Sequence, residues 1–234
     1  MKRSLSLAMA AIAVCIISLP AADRLTIVDY YRMIPDKAFK HPKFILTLKN
    51  GVYTTPSIIE EQLKPTVDIP NGYLFVEDPG TGGGTTGHAC AVFIAASGVP
   101  HIALNQFAFN GVAGDSALSM FILRDGMLVD RTAECAPMIS LSLFLKDPHD
   151  IKRIQSVIGK THLYMIRTEL PRYGTDIVTT LMVFSGKAEL YRTADWLSSK
   201  EKAEYAAFFA MPKYETIIFS WDKKKALFIA GSKK

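Results

Sequence analysis

The chain has 234 residues, a formal net charge of +5, five histidines and three cysteines. Its basic residues exceed its acidic residues by a small margin and are spread along the chain, apart from a lysine triplet at residues 223–225. This charge is too weak to indicate a nucleic-acid partner. The length is sufficient for one sizeable hydrophobic core or two small ones.

The first 22 residues have the pattern of a secretory signal peptide. Lys2 and Arg3 precede an apolar stretch from Leu5 to Leu19, and two alanines follow it. The stretch is shorter than the roughly 20 residues that a membrane-spanning helix needs. We therefore expect a periplasmic or secreted protein that contacts the membrane only through its transient signal peptide. Removal of residues 1–22 lowers the formal charge from +5 to +3.

The first elements predicted in the mature chain are short. Residues 26–34 (TIVDYYRMI) predict a helix that Pro35 ends. Asn50-Gly51, between residues 44–48 and 52–54, predicts a β-hairpin. Residues 56–63 predict a second short helix, because Thr55 could cap it and a proline occupies its first position.

Strand patterns then follow in quick succession. The first two flank a loop that contains five glycines between Gly80 and Gly87, and Asp125-Gly126 is a further hairpin signal. Connections this short favour antiparallel neighbours, because a parallel crossover needs a dozen residues or more. The sequence therefore predicts an antiparallel meander with strands at residues 73–77, 89–96, 101–106, 117–124 and 127–130.

The glycine loop satisfies the bare spacing of a dinucleotide-binding fingerprint at Gly82, Gly84 and Gly87. That fingerprint places a pyrophosphate on the N-terminus of a following helix, whereas the residues after this loop have a strand pattern. The loop is better explained as a surface hairpin loop in which glycine supplies conformational freedom. We expect no cofactor.

The second half follows a similar plan, and a helix at residues 199–210 begins with the capping-box sequence SSKE at residues 198–201. The expected class is α+β, β-dominated, with antiparallel meander sheets and short helical additions, and the shared order of elements raises the hypothesis that the two halves arose by duplication. The halves span residues 23–146 and 147–234 and could form one compact domain. Strands are predicted at residues 139–145, 162–168, 176–184, 188–192, 215–221 and 227–230.

Four segments resemble a loosely defined group of exported Gram-negative proteins of unknown function. The most distinctive is Leu170 to Ile177 (LPRYGTDI), and the others are residues 71–74 (NGYL), 91–93 (AVF) with the hairpin after them, and 125–132 (DGMLVDRT). The resemblance implies an envelope location. It implies no activity and assigns no functional residue.

Cys90 and Cys135 are the cysteines that remain after removal of the signal peptide. An even number in an oxidising compartment predicts a disulfide between them. The alternative is a thiol nucleophile at Cys90 with His88 or His101 as its base. A metal site on His88 and Cys90 lacks third and fourth ligands, so no metal is expected.

The loop at residues 170–176 is the best candidate for a functional surface. Arg172 offers a planar cation and Tyr173 an aromatic face, and together with His88 they are the candidate ligand-binding residues. A structural turn fixed by Pro171 and Gly174 is the alternative. No catalytic motif such as G-x-S-x-G is present, so no catalytic residue is assigned.

Two classes of function remain. We expect a noncatalytic binding or interaction module for an envelope or extracellular ligand or protein. The alternative is an envelope hydrolase whose residues are scattered in sequence, around Cys90 and His88 or around Arg172 and Tyr173. Titratable side chains that converge in one cleft favour the enzyme, and a groove or sheet face lined by aromatic residues favours binding.

The signal peptide yields the first prediction. Protein recovered from the cell envelope should begin near residue 23, because signal peptidase removes the basic and apolar start. N-terminal sequencing of the mature protein tests this, and envelope protein that still begins at Met1 would contradict it.

Overall fold

The computed structural model describes residues 25–57, 59, 62–80, 83–110, 114–158, 164–184 and 188–234. The predicted signal peptide and Gly82 of the glycine loop lie outside these ranges, as does Ser185-Gly186, whose sequence predicts a turn between the expected strands at residues 176–184 and 188–192.

Within the described ranges, the strands form three antiparallel sheets, each with its strands in chain order. The smallest is a hairpin of β1 (Thr47–Lys49) and β2 (Val52–Thr54). The six-stranded sheet contains β3 (Thr66–Asp68), β4 (Tyr73–Asp78), β5 (Thr85–Ile94), β6 (Pro100–Phe109), β7 (Gly114–Arg124) and β8 (Met127–Asp130). The four-stranded sheet contains β9 (Tyr164–Glu169), β10 (Asp176–Val183), β11 (Thr216–Asp222) and β12 (Leu227–Lys233).

The helices are short additions to these sheets. They are α1 (Ile27–Met33), α2 (Thr132–Cys135), α3 (Gln155–Ile158), α4 (Ala188–Thr193) and α5 (Ser199–Phe208), with 3₁₀ turns at Asp36–Ala38, Leu141–Leu143 and Pro148–Arg153. None of the helices in the described ranges is long and apolar enough to cross a membrane. The predicted class, a β-dominated α+β fold with antiparallel meander sheets, is confirmed.

Two helix predictions are confirmed by their caps. α1 and α5 each begin with a capping box, formed by Thr26 with Asp29 and by Ser198 with Glu201. In both, the hydroxyl accepts a backbone N–H of the first turn while the carboxylate accepts the N–H of the cap residue. A local signal of this kind fixes where a helix begins.

Three element predictions are wrong. Residues 139–145 contain a 3₁₀ turn instead of a strand, and residues 188–192 belong to α4. The described residues of the segment 56–63 are not helical, because Leu63 pairs with the buried Thr55 through two backbone hydrogen bonds of 2.9 and 3.1 Å. β3 was not predicted from the sequence.

Both faces of the six-stranded sheet are buried, and alternate residues of β5 and β6 divide between them. One face packs against α1 and contains Leu74, Cys90 and Leu104 in its core. The opposite face packs against the four-stranded sheet and the helices after β8. The core of this second face therefore includes residues from both predicted halves.

Specific polar contacts join the two large sheets. The side-chain amide of Asn105 donates to the carbonyl of Thr168 at 2.6 Å, and the indole N–H of Trp221 donates to the carbonyl of Ile94 at 3.2 Å. These bonds fix the position of β9 and β11 relative to β6 and β5, in addition to the apolar packing.

Gly87 is required inside β5 for a steric reason. The half-buried Phe107 on the neighbouring strand β6 lies over Gly87 and stacks on Phe75 of β4 with ring centroids 6.0 Å apart. A Cβ atom at residue 87 would overlap the Phe107 ring. The last glycine of the predicted loop is therefore part of the sheet and makes room for an aromatic pair.

This arrangement predicts the effect of Gly87→Ala. The substitution should destabilise the fold by about 1–3 kcal/mol, the usual cost of overpacking. In a Phe107→Ala background the same substitution should cost less, because the overlapping ring is gone. Urea unfolding of the four variants of this double-mutant cycle measures the coupling, and an equal cost in both backgrounds would refute the steric explanation.

Candidate functional site

The predicted disulfide between Cys90 and Cys135 is wrong, and both thiols are free and buried. Cys90 lies in the core between the six-stranded sheet and α1, whereas Cys135 lies in the core on the opposite face. The sheet itself separates the two sulfur atoms.

The geometry also gives no support for Cys90 as a nucleophile. Its side chain is fully buried, and burial raises the pKa of the thiol well above its usual value, so the reactive thiolate does not form at neutral pH. His101, one of the two proposed bases, lies on the opposite face of the sheet with its ring 5.1 Å from Trp221. Cys90 is best described as a small core hydrophobe.

Arg172 and Tyr173 lie in the loop between β9 and β10, and this loop reaches across to the six-stranded sheet. Nε of Arg172 donates to Oδ2 of Asp68 at 2.8 Å, and Asn71 donates to the same carboxylate from its backbone and its side chain. These hydrogen bonds, that from Arg172 first, lower the pKa of Asp68. Arg172 is therefore engaged in a link between the sheets, while Tyr173 is 68% exposed beside it.

His88 lies on the α1 face of β5 and makes a buried contact with the N-terminal segment. Its Nδ1 is 2.9 Å from the hydroxyl of Tyr31, and that oxygen also accepts the backbone N–H of Phe44 at 3.1 Å. The imidazole lies close to the rings of Phe39 and Phe44, with centroid distances of 5.1 and 5.0 Å. Three aromatic side chains from α1 and the segment after it thus surround one histidine.

The protonation of His88 follows from these contacts. Burial raises the pKa of Tyr31, so its hydroxyl keeps a proton, and Nδ1 of His88 lies 2.9 Å from that oxygen. Because the hydroxyl oxygen already accepts the N–H of Phe44, we assign its own proton to the bond with Nδ1, and this tautomer carries the imidazole proton on Nε2. Burial, and to a lesser degree the charge of His41, lowers the pKa of His88 to about 4. The imidazole is neutral, and Nε2–H has no hydrogen-bond partner among the described residues.

Residues 35–46, named here the strap, cross the same face of the sheet. The side-chain amide of Gln106 anchors the strap, accepting the N–H of Lys40 at 2.7 Å and donating to the carbonyl of Ala38 at 2.9 Å. Nζ of Lys43 donates to two carbonyls at the end of α1, those of Arg32 and Ile34, at 2.8 Å each. The strap is thereby fixed to both the sheet and the helix.

The strap borders a cleft of about 590 Å³, named here the cationic cleft. Four basic side chains and one acid are among its lining residues, which include the two phenylalanines that contact His88. The acid, Asp36, is 3.5 Å from Lys43, and Lys40 is 3.0 Å from Asp115 outside the lining. Positive charge is therefore only partly compensated. The lining comprises Arg32, Asp36, Phe39, Lys40, His41, Pro42, Lys43, Phe44, Ile45 and Leu46.

Of the residues singled out from sequence, the structure places only His88 beside this cleft. The strap was not predicted from the sequence, although residues 37–44 (KAFKHPKF) interleave four basic or histidine side chains with two phenylalanines. That interleaving is the signal that could have identified the cleft. In the part of the chain that the structure describes, no group of three or more His, Cys, Asp or Glu side chains is arranged to hold a metal ion.

Comparison with known proteins finds a likeness among solved structures. No protein-family model and no curated protein matches the chain. The chain is similar to the structure of a domain of an uncharacterized protein from Porphyromonas gingivalis W83, with a TM-score of 0.49 and 12% sequence identity over 80% of this chain and 79% of that one.

The depressed pKa of His88 predicts a pH dependence of stability. The unfolded chain takes up a proton at this residue near pH 6.5, whereas the folded chain does so only near pH 4. The contribution of neutral His88 to the free energy of unfolding is therefore fully present above pH 6.5 and is lost as the pH falls toward 4. The loss should reach about 3 kcal/mol, since one pKa unit corresponds to about 1.4 kcal/mol.

Urea unfolding of the wild type and of His88→Gln between neutral pH and pH 4 measures this dependence. Glutamine can still accept from the Tyr31 hydroxyl but does not titrate, so the variant should lose less stability on acidification. The comparison also cancels the contribution of other acid-titrating groups. Equal losses in the two proteins would show that His88 is not the group responsible.

Proposed function

We propose that the mature chain is an exported, noncatalytic binding module of the periplasm or the cell exterior, and that it binds an anionic ligand at the cationic cleft. The observation that carries this proposal is the convergence of Arg32, Lys40, His41 and Lys43 on one cleft. Positive side chains that share a concave surface raise the local concentration of anions and favour their binding.

The His88 side chain adds a specific donor to this general electrostatic attraction. A buried N–H without a partner costs about 1–3 kcal/mol relative to a satisfied one. An anion oxygen that enters between Phe39 and Phe44, which contact His88 and also line the cleft, would accept from Nε2–H. The lysine and arginine side chains would attract the anion by their charge, and the neutral imidazole would orient it through a directional hydrogen bond.

The proposal of a noncatalytic role rests on the state of the candidate nucleophile. The thiol of Cys90 is buried and protonated, so it cannot attack a substrate. His88 is neutral at physiological pH and its Nδ1 is occupied by Tyr31, which leaves it a hydrogen-bond donor instead of a general base. Export is supported by the signal peptide pattern and by the resemblance to exported Gram-negative proteins.

A phosphate titration tests the binding site. Inorganic phosphate should shift the NMR signals of the His41 and His88 imidazoles in a saturable manner. The double variant Arg32→Gln/Lys40→Gln should weaken phosphate binding about tenfold, because it removes two charge-assisted contacts. The matched control is Lys223→Gln/Lys224→Gln, which removes the same charge at the distant turn between β11 and β12.

Three results would contradict the proposal. The first is the absence of any phosphate-dependent shift at His41 and His88. The second is equal weakening by the control variant, which would indicate a response to net charge alone. The third is a dependence of any observed turnover on Cys90, which Cys90→Ala would reveal.

A further inference from the structure

The β1–β2 hairpin, which continues directly from the strap, exposes aliphatic side chains at its tip. Leu48 is 54% exposed and Val52 is 49% exposed, and Ile45 at its base is 73% exposed. The hairpin forms a sheet of its own, with a turn at Asn50-Gly51 where both residues have positive φ. Only its base is buried, at Leu46 and Thr54. The tip is therefore an apolar projection from the surface.

The surroundings of this projection are strongly basic. Residues 32–54 contain five lysine or arginine residues and a single acid, Asp36. Lys49 is exposed at the tip, directly opposite Val52 in the hairpin, and Lys40 and Lys43 line the cationic cleft at its base. Aliphatic and cationic groups thus occupy one end of the molecule.

We propose that this end docks on the surface of an anionic phospholipid bilayer, with Leu48 and Val52 in the headgroup region and the cationic cleft on a lipid phosphate. This inference rests on the proposed function, since it identifies the anion as a lipid headgroup. It adds a lasting membrane contact to the transient one provided by the signal peptide.

The shape of the hairpin favours a bilayer over an acidic protein partner. Leu48 pairs with Tyr53 on one face of the two-stranded ribbon, and Val52 pairs with Lys49 on the other, so aliphatic groups lie on both faces of the tip. A stable protein interface buries roughly 800 Å² on each partner in a complementary surface. A narrow apolar tip with Lys49 beside it and the cationic cleft at its base instead suits a fluid interface, which receives apolar groups from all sides and presents phosphates to the cations.

Vesicle binding tests the inference. The mature protein should sediment with vesicles of equimolar phosphatidylglycerol and phosphatidylcholine, should bind pure phosphatidylcholine weakly, and should dissociate as salt is added. Leu48→Ser/Val52→Ser should lower the partition coefficient about tenfold or more, because the tip loses its apolar groups. The matched control is Ile94→Ser/Ile229→Ser, which alters two aliphatic residues of similar exposure, 46% and 41%, outside the hairpin.

Insertion of the tip can be measured directly, because both native cysteines are buried and should resist labelling in the folded protein. Leu48→Cys labelled with an environment-sensitive fluorophore should show a blue shift when phosphatidylglycerol vesicles are added. The same label at Met138→Cys, a site that is 89% exposed in the wild type and far along the chain, should show none. Unchanged melting temperatures verify that the variants are folded.

The possible failures are distinct. If phosphate shifts His41 and His88 but vesicles do not bind, or bind without dependence on Leu48 and Val52, the lipid inference is wrong and the proposed function stands. If soluble polyglutamate binds through the same lysines while vesicles do not, the partner is an acidic protein and the lipid inference is again wrong. If neither phosphate nor vesicles bind, both proposals are wrong.

Discussion

A buried hydrogen bond between the Tyr31 hydroxyl and Nδ1 of His88 joins the N-terminal segment to the six-stranded sheet, within the apolar core that α1 forms with that sheet. Because the same hydroxyl accepts the N–H of Phe44, it positions the strap as well as α1. The strap lines the cationic cleft and leads into the β1–β2 hairpin, so the placement of both depends on this bond together with the contacts of Gln106 and Lys43. A polar pair inside an apolar core specifies one arrangement, since any other would leave polar atoms unsatisfied.

The parts of the fold that the sequence predicts correctly have local causes. Asn50-Gly51 and Asp125-Gly126 form tight turns with positive φ at both residues, and two capping boxes begin helices. Two of the wrong predictions concern short segments, residues 139–145 and 188–192, whose patterns suit either a strand or a helical turn. Tertiary packing determines the secondary structure of such segments, and the residue pattern within a segment does not reveal how that segment packs.

Local sequence signals identified only part of the candidate site, because its main contacts join residues that are far apart in the chain. His88 could be singled out by its residue type and by the strand face that it shares with Cys90, but its main partner Tyr31 is 57 residues away. The predicted disulfide between Cys90 and Cys135 is wrong because the two residues lie on opposite faces of the six-stranded sheet. The alternation of side chains along β5 fixes the face on which Cys90 lies, but no local sequence signal shows which face the segment with Cys135 covers after β8. Which side of a sheet a helix covers is a long-range property of the chain.

The order of the strands has a consequence for how the protein folds. Every strand in the described sheets pairs with a neighbour in sequence, so most backbone pairing closes short loops. The contacts between the sheets join distant positions, such as Arg172 with Asp68, 104 residues apart, and Trp221 with Ile94, 127 residues apart. Each meander can therefore organise early from local contacts, and the docking of one sheet on the other is the step with the larger entropic barrier.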